Sequence, residues 1–179
     1  MLIMRHKYAI MSDVHANPRA LEAALADARA HKCEKFVFAG DVTGYGYDVN
    51  AALRLVRENF DVALMGNHDS ACAQIWEMTA KGVFRPKLEK RFARPATRAE
   101  SVSFKLGAGS RYIVNVGAVG NPRNDLCASY AIYDADAARV TIRRLPFDFK
   151  GYITEMLAHG IDLPTWLCDL LQNIKGSQA

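Results

Sequence analysis

The fold is decided by the stretch Tyr8-Ala9-Ile10-Met11-Ser12-Asp13-Val14-His15-Ala16-Asn17-Pro18. It begins with a short apolar run that is typical of a buried β-strand. It ends in Asn17-Pro18, which favours the start of a helix because Asn is a good N-cap and Pro fits the first turn. Leu21, Leu25 and Ala28 then recur at helical spacing. A carboxylate and an imidazole therefore lie at the turn between the first strand and the first helix.

Two further apolar runs end in polar residues in the same way. Gly40-Asp41 follows the run Lys35-Phe36-Val37-Phe38-Ala39, and Gly66-Asn67-His68-Asp69 follows the run Val62-Ala63-Leu64-Met65. Asp41 comes 28 positions after Asp13, and Asn67 comes 26 positions after Asp41. This pitch is close to the roughly 30 residues of one βαβ unit. The pattern predicts a parallel α/β half, strand–helix–strand–helix–strand, whose polar tips meet at the carboxyl edge of the sheet.

The rest of the chain changes character after the third tip. A helix is expected over 70–80, and from Val102 onward apolar and polar residues alternate, which predicts strands. Strands over 112–116, 129–133 and 139–145 are expected to form an antiparallel meander and a second sheet. A closing helical segment, restarted at Pro164, is expected from apolar residues at helical spacing. These are Leu163, Trp166, Leu167, Leu170 and Ile174.

The composition is that of an ordinary globular protein. The 179 residues, 50% hydrophobic and 23% charged, suit a single domain over 1–179. No apolar run reaches the about 18 residues of a membrane span, so no membrane contact is expected. The four cysteines lie far apart without CxxC spacing, which is typical of reduced thiols and favours a cytoplasmic protein. The net charge of +4 suits an anionic substrate.

The residue types at the three tips are those of a metal site. Asp13 and His15 are two positions apart, so in an extended chain both side chains point to one face and can chelate one divalent ion. Asp41 arrives from the next strand and can bridge two ions, and Asn67 offers a carbonyl oxygen. Oxygen ligands with an imidazole suit one or two ions of Mn, Fe, Zn or Ni. Two such ions can clamp a phosphate and activate a water.

Three neighbouring residues are candidates for other roles. His68 can donate a proton to a leaving group, and Asp69 can orient His68 through a hydrogen bond. The helix that begins at Asn17 directs its positive N-terminus toward the site, which makes Asn17 a candidate for substrate binding. Simpler interpretations stay open at this point. Asp or Asn at a strand end often caps a helix, a lone histidine is more often structural, and Asn67-His68-Asp69 can form an Asx turn.

The three tips resemble the first three signature blocks of the calcineurin-like metallophosphoesterases, and most closely those of small bacterial phosphodiesterases of the YfcE type. The matching blocks are Ser12-Asp13-Val14-His15-Ala16-Asn17, Gly40-Asp41-Val42-Thr43-Gly44-Tyr45-Gly46 and Gly66-Asn67-His68-Asp69. A later stretch also resembles the last block of that branch. It comprises Asn115-Val116-Gly117-Ala118-Val119-Gly120-Asn121-Pro122-Arg123, followed by Ala128-Ser129-Tyr130.

This resemblance implies a fold, a cofactor and an activity. The implied fold is a four-layer α/β/β/α sandwich of two mixed sheets flanked by helices, with a two-metal centre. Asp13, His15 and Asp41 would hold one metal. Asp41 and Asn67 would hold the second metal, while His68 serves catalysis. The implied reaction is hydrolysis of phosphate mono- or diesters by metal-activated water, on a small phosphorylated substrate whose phosphate Arg123 would contact.

The chain departs from the family pattern between 70 and 114. The family carries a His-Gly block and a Gly-His-x-His block there, and these histidines complete both metal shells. This interval contains no histidine and is shorter than the family spacing. His6, His31 and His159 lie elsewhere and are expected to be surface or packing residues. Three explanations stay open: an internal deletion, a stretch missing from the sequence, or a partner subunit that completes the site in a homodimer.

Two alternative functions therefore stay open. A family member with an incomplete metal centre can act as a binding or scaffold protein. The basic segment 85–98 could instead draw phosphate groups or nucleic acid, but its lone aromatic residue, Phe92, gives little support for stacking on bases. A solvated face is the simpler interpretation of that segment, and nucleic acid is not an expected partner. Its basic residues are Arg85, Lys87, Lys90, Arg91, Arg94 and Arg98.

Overall fold

The computed structural model of the protein describes residues 6–73, 101–122, 126–163 and 167–168. Within these residues strands and helices alternate in the first half of the chain, as predicted. The elements are β1 (Lys7–Met11), α1 (Pro18–Ala30), β2 (Lys35–Phe38), α2 (Val49–Asn59), β3 (Val62–Ala63), α3 (Asn67–Cys72), β4 (Val102–Lys105), β5 (Cys127–Asp134), β6 (Arg139–Pro146) and α4 (Phe149–Ala158). No helix in this part of the chain is long and apolar enough to cross a bilayer.

The first two helices begin at side-chain caps. The Oδ1 atom of Asn17 accepts a hydrogen bond of 3.1 Å from the backbone amide of Ala20, and Pro18 occupies the first helical position of α1. Asp48 caps α2 in the same way, with its Oδ1 atom 2.8 Å from the amide of Ala51. Both caps come directly after a strand tip, so they fix where the chain turns back along the sheet.

All six strands belong to one mixed sheet with the order β3-β2-β1-β5-β6-β4. β1, β2 and β3 pair in parallel, whereas β5, β6 and β4 pair antiparallel on the other side of β1. The α/β class, with a mixed sheet flanked by helices, is thus confirmed. Within the described residues the meander extends this sheet instead of forming a separate second one. The free edge of β1 explains this, because its backbone groups need a partner and β5 supplies one from Asp134 to Ala131.

Three predicted elements have different outcomes in the structure. The helix expected over 70–80 begins earlier, at Asn67, and its part beyond residue 73 lies outside the described residues. The stretch 112–116 is not a strand, because alternation favours an extended chain but cannot supply a pairing partner. The closing segment from 163 lies largely outside the described residues. Helix α4, which was not predicted, is capped by Asp148 through a 2.9 Å hydrogen bond from Gly151.

The main core lies between the sheet and α1. Ala9 and Met11 of β1, Leu21 of α1 and Tyr130 of β5 are all fully buried. Burial of each large apolar side chain stabilises the fold by about 1.5–3 kcal/mol. A smaller cluster forms under α4, whose buried residues are Phe149, Tyr152 and Met156.

A partly buried ion pair fastens α1 to the antiparallel half of the sheet. The Nη2 atom of Arg143 donates to Oδ1 of Asp27 at 2.8 Å, and the Tyr130 hydroxyl donates to Oδ2 at 2.7 Å. Burial alone would raise the pKa of the Asp27 carboxyl, but the hydrogen bonds from Arg143 and Tyr130 outweigh it and hold that pKa below its ordinary value. The helix that begins at the site is thereby anchored in its last turn.

Candidate metal centre

The tips of β1 and β2 lie side by side because backbone pairing continues past the ends of both strands. Three hydrogen bonds of 2.8–3.1 Å join the two tips. They run from Asp13 to Gly40, from His15 to Asp41 and from Ala16 to Val42. His15 is only 2% exposed and Asp41 only 9%. The convergence predicted from the pitch of the polar tips therefore occurs for these two strands.

These tips use backbone conformations that side-chain-bearing residues rarely adopt. Positive φ angles occur at Asp13 (56°), His15 (48°), Ala16 (54°), Asp41 (63°) and Tyr45 (54°). Each such residue costs on the order of 1–3 kcal/mol and persists only where its surroundings hold it in place. The hydrogen bonds between the two tips supply that constraint. Clustered strain of this kind is typical of functional sites.

The His15 ring is oriented for metal binding. Its Nδ1 atom lies 2.8 Å from the carbonyl oxygen of Thr43, and because a carbonyl only accepts, Nδ1 carries the proton. This turns Nε2 toward Asp13, whose Oδ1 atom is 3.5 Å away. Metal-binding histidines are held in the same manner, with the second ring nitrogen bonded to a backbone carbonyl. Oδ2 of Asp13 accepts a 2.6 Å hydrogen bond from the Ser12 hydroxyl.

His68 joins this group from the third tip. Its backbone amide donates to Oδ1 of Asp41 at 2.9 Å, and its ring centroid lies 4.8 Å from that of His15. His15, Asp41 and His68 each offer a ligand atom, and these atoms all lie within 4.8 Å of one another. Two imidazoles and a carboxylate are donors that suit a divalent first-row ion. The residues therefore fit a metal in both donor chemistry and proximity.

Asp69 binds backbone amides of two tips. Its oxygens accept hydrogen bonds of 2.8 Å from Asp41, 3.0 Å from Thr43 and 3.0 Å from Gly66. Burial would raise the pKa of the Asp69 carboxyl, but these three hydrogen bonds outweigh it and lower that pKa. The observed partners of Asp69 are therefore backbone groups that tie the second tip to the third. Orientation of the His68 ring by Asp69 stays a prediction.

No functional role was predicted for Gly44 and Tyr45, which both lie next to the rings of His15 and His68. Gly44 has a φ of +93°, and a Cβ there would lie 2.7 Å from Nδ1 of His68, so any side chain at this position would displace that ring. The Tyr45 ring centroid is 4.9 Å from the rings of both His15 and His68. The available signal was an aromatic residue between two glycines directly after Gly40-Asp41.

The remaining predicted residues lie around this cluster. Asn67 is exposed and is the first residue of α3, directly before His68. Asn17 is fully buried, and its amide is engaged at both ends, since Oδ1 caps α1 and Nδ2 donates to the carbonyl of Gly120 at 3.0 Å. A substrate contact by Asn17 stays a prediction. Arg123 lies outside the described residues.

The other histidines have different neighbours. His6 pairs with Glu34, and Nδ1 of His31 lies 2.9 Å from the carbonyl of Asp27. The His159 ring stacks on Tyr47 with 7° between the ring planes. Each of these side chains therefore has a packing or pairing contact away from His15 and Asp41.

Comparison with known proteins agrees with this geometry. The sequence model of the calcineurin-like phosphoesterases matches residues 6–155. An uncharacterized protein of Methanocaldococcus jannaschii is 22% identical over 243 positions, with 94% of this chain and 98% of the relative covered. Because the alignment is longer than this chain, the relative has positions that this chain lacks. Their placement between 70 and 114 stays a prediction.

Solved structures show the same fold. A metallophosphoesterase from Sphaerobacter thermophilus superposes with a TM-score of 0.68 and 24% identity. The match covers 94% of this chain and 98% of the Sphaerobacter chain. A hypothetical protein from Pyrococcus horikoshii superposes with a TM-score of 0.58 and 14% identity. The match covers 87% of this chain and 94% of the Pyrococcus chain. Since the matching sequence model spans most of the chain, this protein belongs to the calcineurin-like phosphoesterase family.

Proposed function

We propose that this protein is a metal-dependent phosphoesterase that hydrolyses phosphate mono- or diesters with an activated water. The observation that carries the proposal is the grouping of His15, Asp41 and His68 at the strand tips, with ligand atoms within 4.8 Å of one another. Family membership supports hydrolase chemistry that depends on a divalent metal. The net charge of +4 suits an anionic substrate.

The residues proposed to hold a divalent ion are Asp13, His15 and Asp41. Asn67 stands next to His68 and is the proposed additional ligand for a second ion. When bound, such an ion, drawn from Mn, Fe, Zn or Ni, acts as a Lewis acid toward water and the phosphate. The hydrogen bond from Nδ1 of His15 to Thr43 fixes the ring so that only Nε2 can serve as a ligand.

His68 is the proposed proton donor to the leaving oxygen of the ester. Its backbone is anchored on Asp41, and its ring packs edge-on against His15, so it is held beside the proposed ligands. Its side chain is only partly buried, which leaves it open to a substrate entering from solvent. A positioned imidazole in this role contributes about 10²–10⁴-fold to the rate.

The test is hydrolysis of 4-nitrophenyl phosphate and bis(4-nitrophenyl) phosphate by Mn²⁺-loaded protein, with metal content measured in parallel. We expect His15→Ala and Asp41→Ala to lose tight metal binding and at least about a hundredfold in kcat/KM. His68→Ala should keep the metal and lose turnover; loss of the metal as well would make His68 a ligand. The matched control is His31→Ala, at the opposite end of α1, about 20 Å along the helix. Equal activity in all four variants would refute the proposal.

A second candidate is a degenerate family member that acts as a binding or scaffold protein. The histidine-free interval from 70 to 114 favours it, because the family's later ligands are missing from that interval. Folded protein that neither retains Mn²⁺ nor hydrolyses either ester would support this candidate. A homodimer that completes the centre would instead show a doubled mass in solution together with stoichiometric metal.

A further inference from the structure

A cavity of about 650 Å³ opens on the face of the sheet that α1 does not cover. Ala9 and Met11 of β1 pack against α1 in the main core. Successive side chains of a strand point to opposite faces, so Ile10 lies on the other face, where it lines the cavity. Tyr133 and Val140 are directly paired across β5 and β6 and line the same wall.

Residues of the stretch 110–117, which has no regular secondary structure over 111–117, also line the cavity. Tyr112, Val114 and Val116 line the cavity, whereas Ile113 between them is 80% exposed. Asn115 of the same stretch also lines the cavity, so this stretch contributes apolar, aromatic and polar groups, and Tyr112 and Tyr133 are the two tyrosines of the lining. The cavity therefore has apolar groups in its lining from both the sheet and this stretch.

The cavity approaches the candidate metal centre through Asp13, while His15, Asp41 and His68 are not part of its lining. Ser12 and Asp13 line it there, and Asp13 is also 3.5 Å from Nε2 of His15. Ala39, at the end of β2, lies at the same end and is exposed. A molecule whose charged end reaches Asp13 and its metal would extend its other end along the apolar walls.

We propose that this cavity binds the organic group of the phosphate ester, and that this group is flat, apolar and about the size of an aromatic ring system. The inference rests on the proposed function, because it places the phosphate at the tips of β1 and β2. The volume lies within the about 300–1,000 Å³ typical of small-molecule sites. Apolar walls that meet a few polar groups at one end are also typical of such sites. Esters of small or strongly polar alcohols would leave the walls uncovered and are the poorer ligands.

The experiment measures equilibrium binding, so it does not depend on turnover. Calorimetric titrations of the Mn²⁺-loaded protein compare 1-naphthylphosphonate, methylphosphonate and 1-naphthol. We expect the naphthyl phosphonate to bind at least about tenfold more tightly than the methyl compound. Ala39→Trp, which adds an indole at the cavity end near Asp13, should abolish the preference for the naphthyl over the methyl phosphonate. Because Ala39 is exposed, the larger side chain does not disturb the core.

A second pair of variants keeps the test independent of the folding of Ala39→Trp. Tyr112→Ala removes an aromatic wall, and Ile113→Ala removes a neighbouring apolar side chain that points to solvent. We expect only Tyr112→Ala to weaken the binding of 1-naphthylphosphonate, by about five- to tenfold. Equal losses in the two variants, or equal affinity for the two phosphonates, would overturn the inference.

Binding of 1-naphthol distinguishes this inference from the proposed function. If neither phosphonate binds but 1-naphthol does, and Ala39→Trp abolishes that binding, the cavity assignment stands and the phosphoesterase proposal fails. If the esters are hydrolysed while aromatic and methyl phosphonates bind alike, the phosphoesterase proposal stands and the cavity assignment is wrong. A cavity filled by another part of the chain would give the second result.

Discussion

The two halves of the candidate metal centre are built differently. In the first half, the tips of β1 and β2 are joined by three backbone hydrogen bonds, and His15 and Asp41 are buried between them. The second half follows β3, a strand of two residues at the edge of the sheet. Large apolar side chains are exposed there, among them Leu64 (57%) and Met65 (60%). Backbone hydrogen bonds between neighbouring strands hold the first half in place, whereas the second half is fixed mainly through side-chain contacts with the first.

The attachment of the second half runs through two carboxylates. Asp41 accepts the amide of His68, and Asp69 accepts the amides of Asp41, Thr43 and Gly66. The proposed ligands Asp13, His15 and Asp41 all belong to the first half, so we expect metal binding to depend less on the second half than turnover does. Variants of the second half should therefore lower turnover more than they lower metal affinity. Substitutions in each half can test this expectation.

Among variants that leave the proposed ligands and His68 in place, the largest effect is expected from Asp69→Ala. The change leaves three backbone amides without their acceptor, and each unsatisfied buried donor costs about 1–3 kcal/mol. The tip that carries His68 should move, so kcat/KM should fall by about a hundredfold, while Mn²⁺ affinity, which loses only the support of the Asp41 and Thr43 amides, should fall by less than about tenfold. Steady-state kinetics and calorimetric metal titration check the two parts separately.

The matched control for this variant is Asp61→Ala. Asp61 also accepts a backbone amide with its carboxylate, that of Phe36 at 2.8 Å, but at the opposite end of β2. It should lower stability without a selective loss of turnover. If Asp69→Ala instead lost its metal together with its activity, the two halves would be one structural unit and the contrast would be wrong.

A smaller effect, about tenfold in kcat/KM, is expected from Gly44→Ala. An added Cβ would lie 2.7 Å from Nδ1 of His68 and 3.4 Å from Nδ1 of His15, so the ring of the second half should shift further than that of the first. Gly109→Ala is the control, since Gly109 also has a positive φ (76°) but has nothing within 4 Å of the added atom. Equal losses in the two variants would mean that backbone strain, and not contact with the histidines, causes the effect.

The same contrast explains how much of the site could be predicted from the sequence. Asp13, His15 and Asp41 follow strands whose period and pitch are visible in the sequence, and parallel pairing is enough to bring their tips together. Convergence of the third tip was part of the same prediction, but the pitch does not specify the ring contact between His68 and His15, because this contact depends on the path of the chain after a very short edge strand. The exposed position of Asn67 has the same origin.

The fold shows a similar division between local and long-range signals. Helix α1 begins at Asn17, where the cap and the apolar spacing were both predicted. Helix α4 has comparable signals, with Asp148 as its cap and Phe149, Tyr152 and Met156 as its buried face. These signals were missed because they directly follow the alternating pattern of a strand. Strand pairing depends on which distant segments compete for the same sheet edge, and the local sequence does not show this. For that reason the sequence could not decide whether 112–116 forms a strand or whether β5 pairs with β1.

The smallest effect on hydrolysis is expected from Asp27→Asn, which lies far from the tips. The pKa of Asp27 is lowered in the folded protein from its ordinary value of 3.8, since the hydrogen bonds from Arg143 and Tyr130 outweigh its burial. A depressed carboxyl pKa stabilises the fold above 3.8, and this contribution disappears as the pH falls through the folded-state pKa. At pH 7 the variant should therefore lose about 1–3 kcal/mol in free energy of unfolding.

The difference in unfolding free energy between wild type and Asp27→Asn should shrink as the pH falls below about 4, as urea titrations at several pH values would show. Asp136→Asn, in an exposed turn, is the control and should change the free energy of unfolding at pH 7 by less than about 0.5 kcal/mol. At pH 7 and low denaturant kcat/KM should stay within about twofold of the wild type, because β1 and β2 hold the first half through their own backbone pairing. A parallel fall in activity would mean that the first half depends on the anchoring of α1, and would remove the basis for treating it as the self-supporting part of the centre.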